Sequence, residues 1–166
     1  MRPATTVACA ARSLAAEADP KEPLVVGGDL NVAPTDDDVW DPKACHGGTH
    51  VSPPERTAFQ RLLDWGLLDA YRRHRPEPGR YTWWDYRAGN FHKNFGMRID
   101  HLLVTAPLLA RTVWAEVDRE ARKGKPIPSD HAPLVVDVDE PGHPFDAGWK
   151  GAEARIASRR PSPRPR

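Results

Sequence analysis

Three short stretches set chemistry-bearing side chains beside apolar runs. Asp29 and Asn31 follow Pro23-Leu24-Val25-Val26-Gly27-Gly28, Asp100 lies in Arg98-Ile99-Asp100-His101, and Asp130 and His131 lie in Ser129-Asp130-His131-Ala132-Pro133. A carboxylate and an amide one residue apart at a strand end can hold a hard cation, a water and a phosphate oxygen together. With the other two stretches they give three carboxylates, one amide and one imidazole. Phosphodiester cleavage needs such a set: a divalent cation to neutralise the phosphate, a base to orient water and a donor for the developing oxyanion. Each stretch alone also has a plainer reading. Asp29 and Asn31 can simply make a turn, Asp100 can pair with Arg98, and Asp130-His131 can be a satisfied loop pair.

Positioning such groups takes buried strands. Leu24–Val26 reads as one, Arg98–Val104 as a second, Thr112–Val117 as a third and Leu134–Val138 as a fourth. The alternating aromatic run Tyr81-Thr82-Trp83-Trp84-Asp85-Tyr86 is also expected to be a strand, although its aromatics, with Phe91, suit a core as well. Val7, Ala10, Ala11, Leu14, Ala15 and Ala18 share one helical face ahead of the first strand. Ser52-Pro53-Pro54-Glu55 is a capping box that opens a second helix, with Ala58, Phe59, Leu62 and Leu63 inward and Gly66 at its end. Residues 36–49 read as a loop. Strands with intervening helices give an α/β class.

The chain of 166 residues suits one domain with a real core. Its net charge of +1 marks no global affinity for nucleic acid, but the distribution is uneven. Residues 19–41 hold seven acids against Lys21, and residues 71–98 hold seven Lys/Arg against Glu77 and Asp85. Arg72-Arg73-His74-Arg75 can be a solvated face or part of a phosphate-binding surface. Cys9 and Cys45 are too few for a disulfide framework, which points to the cytoplasm. Cys45-His46 with His50 lacks a second ligand pair for zinc and reads as a surface loop. No apolar stretch is long enough to span a membrane. Residues 1–140 are expected to form the folded unit and residues 141–166, Pro/Arg-rich at their end, a largely disordered tail.

Gly27-Gly28-Asp29-Leu30-Asn31-Val32-Ala33-Pro34, Tyr81-Thr82-Trp83-Trp84-Asp85-Tyr86-Arg87, Met97-Arg98-Ile99-Asp100 and Pro128-Ser129-Asp130-His131-Ala132-Pro133 occur in this order. Together they resemble the exodeoxyribonuclease III / AP endonuclease family of the endonuclease/exonuclease/phosphatase superfamily, over about residues 24 to 138. The resemblance implies a four-layered α/β sandwich of two packed sheets, with a site at one end. It implies a Mg²⁺-dependent DNA-repair hydrolase, with Mn²⁺ as the other candidate ion, acting on double-stranded DNA at abasic sites and 3′ ends as a monomer. Asp29 would orient or deprotonate the attacking water. Asn31 would bind the scissile phosphate and help hold the metal with Asp29 and Asp130. His131 would stabilise charge on the phosphate oxygen, oriented by Asp100. Trp83 and Met97 would line a pocket for a flipped-out abasic sugar, while Arg87, Arg98 and the basic segment grip phosphates.

The family's N-terminal Asn, metal-binding Glu and active-site Tyr have no counterpart before Asp29. The resemblance therefore implies the C-terminal part of the domain only, a partial sandwich lacking its N-terminal part, truncated and impaired. Two other readings stay open: an inactive fragment that binds DNA weakly, and a lipid or inositol-phosphate hydrolase of the same superfamily. The Trp83-Trp84-Asp85-Tyr86-Arg87 run and its basic flank favour DNA.

Overall fold

The computed structural model describes residues 3–157. Its strands are β1 (Val25–Asp29), β2 (Leu67–Asp69), β3 (Asp100–Thr105), β4 (Thr112–Val117) and β5 (Leu134–Val138). Its helices are α1 (Pro3–Glu17), α2 (Pro42–Cys45), α3 (Pro53–Trp65), α4 (Ala70–His74), α5 (Asn90–Lys93), α6 (Ala106–Leu109) and α7 (Lys150–Ala157). Three strands form one antiparallel sheet in the order β1-β3-β2, and β4 pairs with β5 in a second. The two sheets meet where β3 touches β5. The architecture is thus α/β, with two sheets and helices against them.

Helices α1 and α3 pack on each other and cover one face of the larger sheet. Val7 comes from α1, Ala58, Phe59 and Leu62 from α3, and Leu67 and Leu103 from the sheet, all buried together. Burial of such side chains supplies most of the driving force, at roughly 25 cal/mol per Å². The α3 boundaries follow the sequence signals. The Glu55 carboxylate accepts from Ser52 N at 3.0 Å and Ser52 Oγ at 2.7 Å, and Gly66 caps the other end at φ 124°.

A second core lies against the β4–β5 sheet and holds Tyr71, Tyr81, Trp84, Phe91, Ala115, Val117, Ala132 and Trp149. Trp149 donates to Val117 O at 2.7 Å. Residue 149 thus packs into the body of the fold, and α7 follows it. An indole that can bury its ring and satisfy its N–H has reason to fold back. The Arg159–Arg166 run lies outside the described residues.

Two expectations differ. The Tyr81–Tyr86 run is no regular strand. It makes isolated bridges, Trp83 with Met97 and Trp83 with His131, because it crosses between sheets rather than joining one. Strand β1 is not buried: it is a sheet edge, and Val25 is 53% exposed. Only Val26 of this strand packs toward the helices. The 36–49 loop contains the short α2 and one 3₁₀ turn.

Candidate active site

The register of β1 on β3 sets Asp29 directly opposite Asp100. Like charges in cross-strand positions repel, so this pairing costs stability unless a cation or proton intervenes. The loop before β5 brings His131 to the same place. Its Nδ1 lies 2.9 Å from Asp100 Oδ2, and its Nε2 lies 4.0 Å from Asp29 Oδ2. The Asp100 carboxylate can only accept here, so Nδ1 carries the proton and Nε2 is turned toward Asp29. Burial pushes the Asp100 carboxyl up; bonds from Thr82 and His131 oppose that, and the Asp29 charge adds to it. One ligand atom from each of Asp29, Asp100 and His131 lies within 4.8 Å of the others.

The backbone around these groups is tightly held. Gly28 has φ 130°, which a side chain would strain, and it lets β1 turn into the Asp29–Asn31 corner. Asn31 itself sits at φ 54°, with its N and Nδ2 donating to Asp29 Oδ1 and Oδ2 at 2.9 and 2.8 Å. Three consecutive carbonyls of this turn each take a side-chain donor from a different element. His50 Nδ1 donates to Asn31 O at 2.8 Å, His101 Nε2 to Val32 O at 2.8 Å, and Arg56 Nε to Ala33 O at 3.1 Å. On the β3 side the Thr82 hydroxyl, fully buried, accepts from Ile99 N and Asp100 N at 3.1 Å. Sequence reasoning missed Thr82, His101 and Arg56, and read His50 as part of a surface loop. None of them carries a local signal, because their partners lie 17 to 69 residues away.

The loop carrying His131 is fixed in the same manner. Arg122 donates to Ser129 O and Tyr86 Oη to Pro128 O at 2.7 Å. The Arg122 guanidinium stands 5.2 Å from the centre of the Tyr86 ring. Ala132 N donates to Thr82 O at 2.7 Å, which ties the loop to the crossing segment. A groove of about 450 Å³, lined by Asp100, Leu102, Ser129, His131 and Leu134 among others, opens beside the cluster.

The structure brings Asp29, Asn31, Asp100 and His131 together. Asp130 is not in the cluster: its Oδ2 accepts from Trp83 Nε1 at 2.9 Å. Trp83 and Met97 bridge each other, and Trp83 bridges His131, so both flank the site. Arg87 is on the surface in a forked pair with Asp85 and is free to exchange that partner for another anion.

Arg98 is the clear correction. It is 1% exposed, donates to Asp38 Oδ1 and Asp69 Oδ2 at 2.7 Å, and contacts His101 Nδ1 at 3.1 Å. A side chain so enclosed cannot meet a DNA phosphate. Its neighbours are polar because a buried guanidinium needs compensation. Most of the basic segment is likewise tied up internally. Arg72 pairs with Asp38, Arg75 and Arg80 with Glu116, and Arg80 also with Glu153. Arg98 also decides the state of His101. A guanidinium can only donate, so Nδ1 accepts and Nε2 carries the proton given to Val32. Burial first, then the Arg98 charge, lowers the His101 pKa to about 4, so this imidazole is neutral.

The donor set suits a hard divalent ion. Asp29 and the Asn31 amide oxygen are oxygen donors, and the opposed Asp29–Asp100 pair needs positive charge beside it.

Carboxylates and an imidazole thus converge where the two sheets of an α/β fold meet. Residues 2–131 match the Endonuclease/Exonuclease/phosphatase family, and the chain belongs to it. It is 37% identical over 124 residues to an exodeoxyribonuclease of Bacillus subtilis, covering 74% of this chain and 47% of that protein. Among solved structures it is similar to an AP endonuclease from Archaeoglobus fulgidus, with TM-score 0.78, 32% identity, and coverage of 82% of this chain and 53% of that one. It is also similar to a 3′ phosphatase from Neisseria bound to a product DNA hairpin, with TM-score 0.74, 39% identity, and coverage of 82% and 52%. The chain spans about half the length of the curated relatives it matches.

Proposed function

We propose that this chain carries the water-orienting and phosphate-binding groups of a metal-dependent DNA-repair phosphodiesterase, acting on the backbone at abasic sites and 3′ ends. The carrying observation is the Asp100–His131 contact at 2.9 Å, with Nε2 of His131 turned to Asp29. Relatives named as exodeoxyribonucleases and abasic-site endonucleases support DNA as the substrate.

The residues divide the work as follows. Asp29, fixed by two bonds from Asn31, orients a water and draws its proton as it attacks phosphorus. The Asn31 amide oxygen and Asp29 are the donors that would hold Mg²⁺ or Mn²⁺, which supplies charge neutralisation of the phosphate. His131 turns Nε2 toward the place where negative charge builds on a phosphate oxygen and is the group to donate a hydrogen bond there. Asp100 holds the ring for this through Nδ1. Trp83 and Met97 offer apolar contact to a sugar that has lost its base.

The test is cleavage of an abasic-site duplex with Mg²⁺. The wild-type chain should cleave, and Asp29→Ala, His131→Ala or EDTA should abolish it. A folded, monomeric protein that leaves the duplex intact, or one that instead turns over an inositol phosphate, overturns the reading.

A further inference from the structure

Six of the thirteen Trp, Tyr and Phe residues are buried, Trp84, Tyr81, Phe91 and Trp149 among them, and four are exposed: Trp40, Tyr86, Phe95 and Phe145. Trp40 and Phe95 stand together. Their rings stack at 3.9 Å with an interplanar angle of 17°, and each residue keeps 37% exposure. The pair is rigidly mounted. Trp40 N donates to Gly96 O at 3.1 Å and Phe95 N to Asn90 O at 2.9 Å. Asn94, just before Phe95, is anchored on both sides, accepting from Trp84 Nε1 and donating to Gly79 O. At Gly96 a Cβ would lie 2.5 Å from Trp84 Nε1, so only glycine lets the chain pass so close to the core there. The Lys93 ammonium stands over Phe95, 5.8 Å from its centre, and is exposed.

The mount leads to the site. Val39, next to Trp40, bridges Met97; Met97 bridges Trp83; Trp83 bridges His131. Neighbouring strands lie about 4.8 Å apart, so these rungs put the aromatic pair roughly 10–15 Å from His131. That is about three to four nucleotides along one strand.

We propose that Trp40 and Phe95 form a platform on which an unpaired base of the bound DNA strand stacks, with Lys93 beside its phosphate. The proposal rests on the DNA-phosphodiesterase reading and names the substrate feature: unpaired bases next to the scissile phosphate. A base inside a duplex has both faces covered by its neighbours, whereas one in a frayed or single-stranded flank can lie on an aromatic ring. A rigid, open ring with an adjacent cation is what sequence-independent single-strand binding uses.

The experiment is anisotropy of a labelled abasic duplex in EDTA, so that cleavage plays no part. One version carries an unpaired flank with bases, and a second carries the same flank with its bases removed. Wild type should bind the first more tightly by about 5- to 150-fold. Trp40→Ala and Phe95→Ala should bind both versions equally, at the weaker level, with melting cooperativity retained. Wild-type binding indifferent to the flank bases overturns the platform without any variant, as does a Trp40→Ala protein that keeps the full preference. Base-dependent binding by a protein that never cleaves would sink the hydrolase reading and leave the platform standing.

Discussion

Replacing Arg98 by Met separates two roles that its sequence position leaves open. The side chain is 2% exposed and bonds Asp38, which is wholly buried, and Asp69, which is 15% exposed. Burial alone would raise the Asp38 carboxyl, but Arg98 and Arg72 hold it far below the usual carboxylate range. Removing one partner of a buried pair costs about 3–5 kcal/mol. Arg72 and the Thr35 hydroxyl, at 2.8 Å, still reach Asp38, so the lower end applies, about 3 kcal/mol. In a chain of this size that is roughly 6–12 °C in Tm. Circular-dichroism melts at pH 7 should show this fall. The slope of log Kobs against log salt for an oligonucleotide should not change, because no phosphate contact is lost. An unchanged Tm with a salt slope smaller by about one would refute the reasoning and restore Arg98 as a phosphate ligand.

The neutral His101 makes stability depend on pH. Its folded pKa is about 4 against an ordinary 6.5, so the unfolded chain takes up the proton first, and stability present above pH 6.5 is lost as pH falls toward 4. The loss, on the order of 3 kcal/mol, should appear as a lower urea midpoint at pH 4.5 than at pH 7.5. Asp100→Asn removes the charged partner of His131 while keeping its size. It should lower kcat on an abasic duplex about 10²- to 10⁴-fold with KM little changed, and an unaltered kcat would remove Asp100 from the site's chemistry. His50→Ala leaves the Asn31 carbonyl without its donor. It should cost about 1 kcal/mol in stability and weaken divalent-ion binding, and His50→Asn, which keeps an amide donor near the Nδ1 position, should restore both.

Local signals carried far in this sequence. The Ser52–Glu55 box and Gly66 bound α3 as written, and the last three apolar runs became β3, β4 and β5. Asp29, Asn31, Asp100 and His131 were legible because each stands beside an apolar run, and the β1–β3 register and the loop before β5 carry them to one place. What stayed hidden depends on partners distant in the chain. Arg98 was legible as a cation, but not its enclosure by Asp38 and Asp69, 60 and 29 residues away. Asp130 was legible as an acid, but not the bond its Oδ2 accepts from Trp83, 47 residues away. The Tyr81–Tyr86 run had strand composition, but its backbone serves Met97 and Ala132 in turn and joins no sheet. Trp40 and Phe95, 55 residues apart, gave no sign of stacking.

The central claim is that Asp29, Asn31, Asp100 and His131 together form one divalent-ion, phosphate-handling centre. Paramagnetic broadening of backbone amide signals during a Mn²⁺ titration tests it most directly. One saturable site is expected, with broadening centred on residues 28–31, 100 and 131, lost in Asp29→Ala and competed by Mg²⁺. Broadening centred elsewhere, or none at millimolar Mn²⁺ in a folded protein, would contradict it.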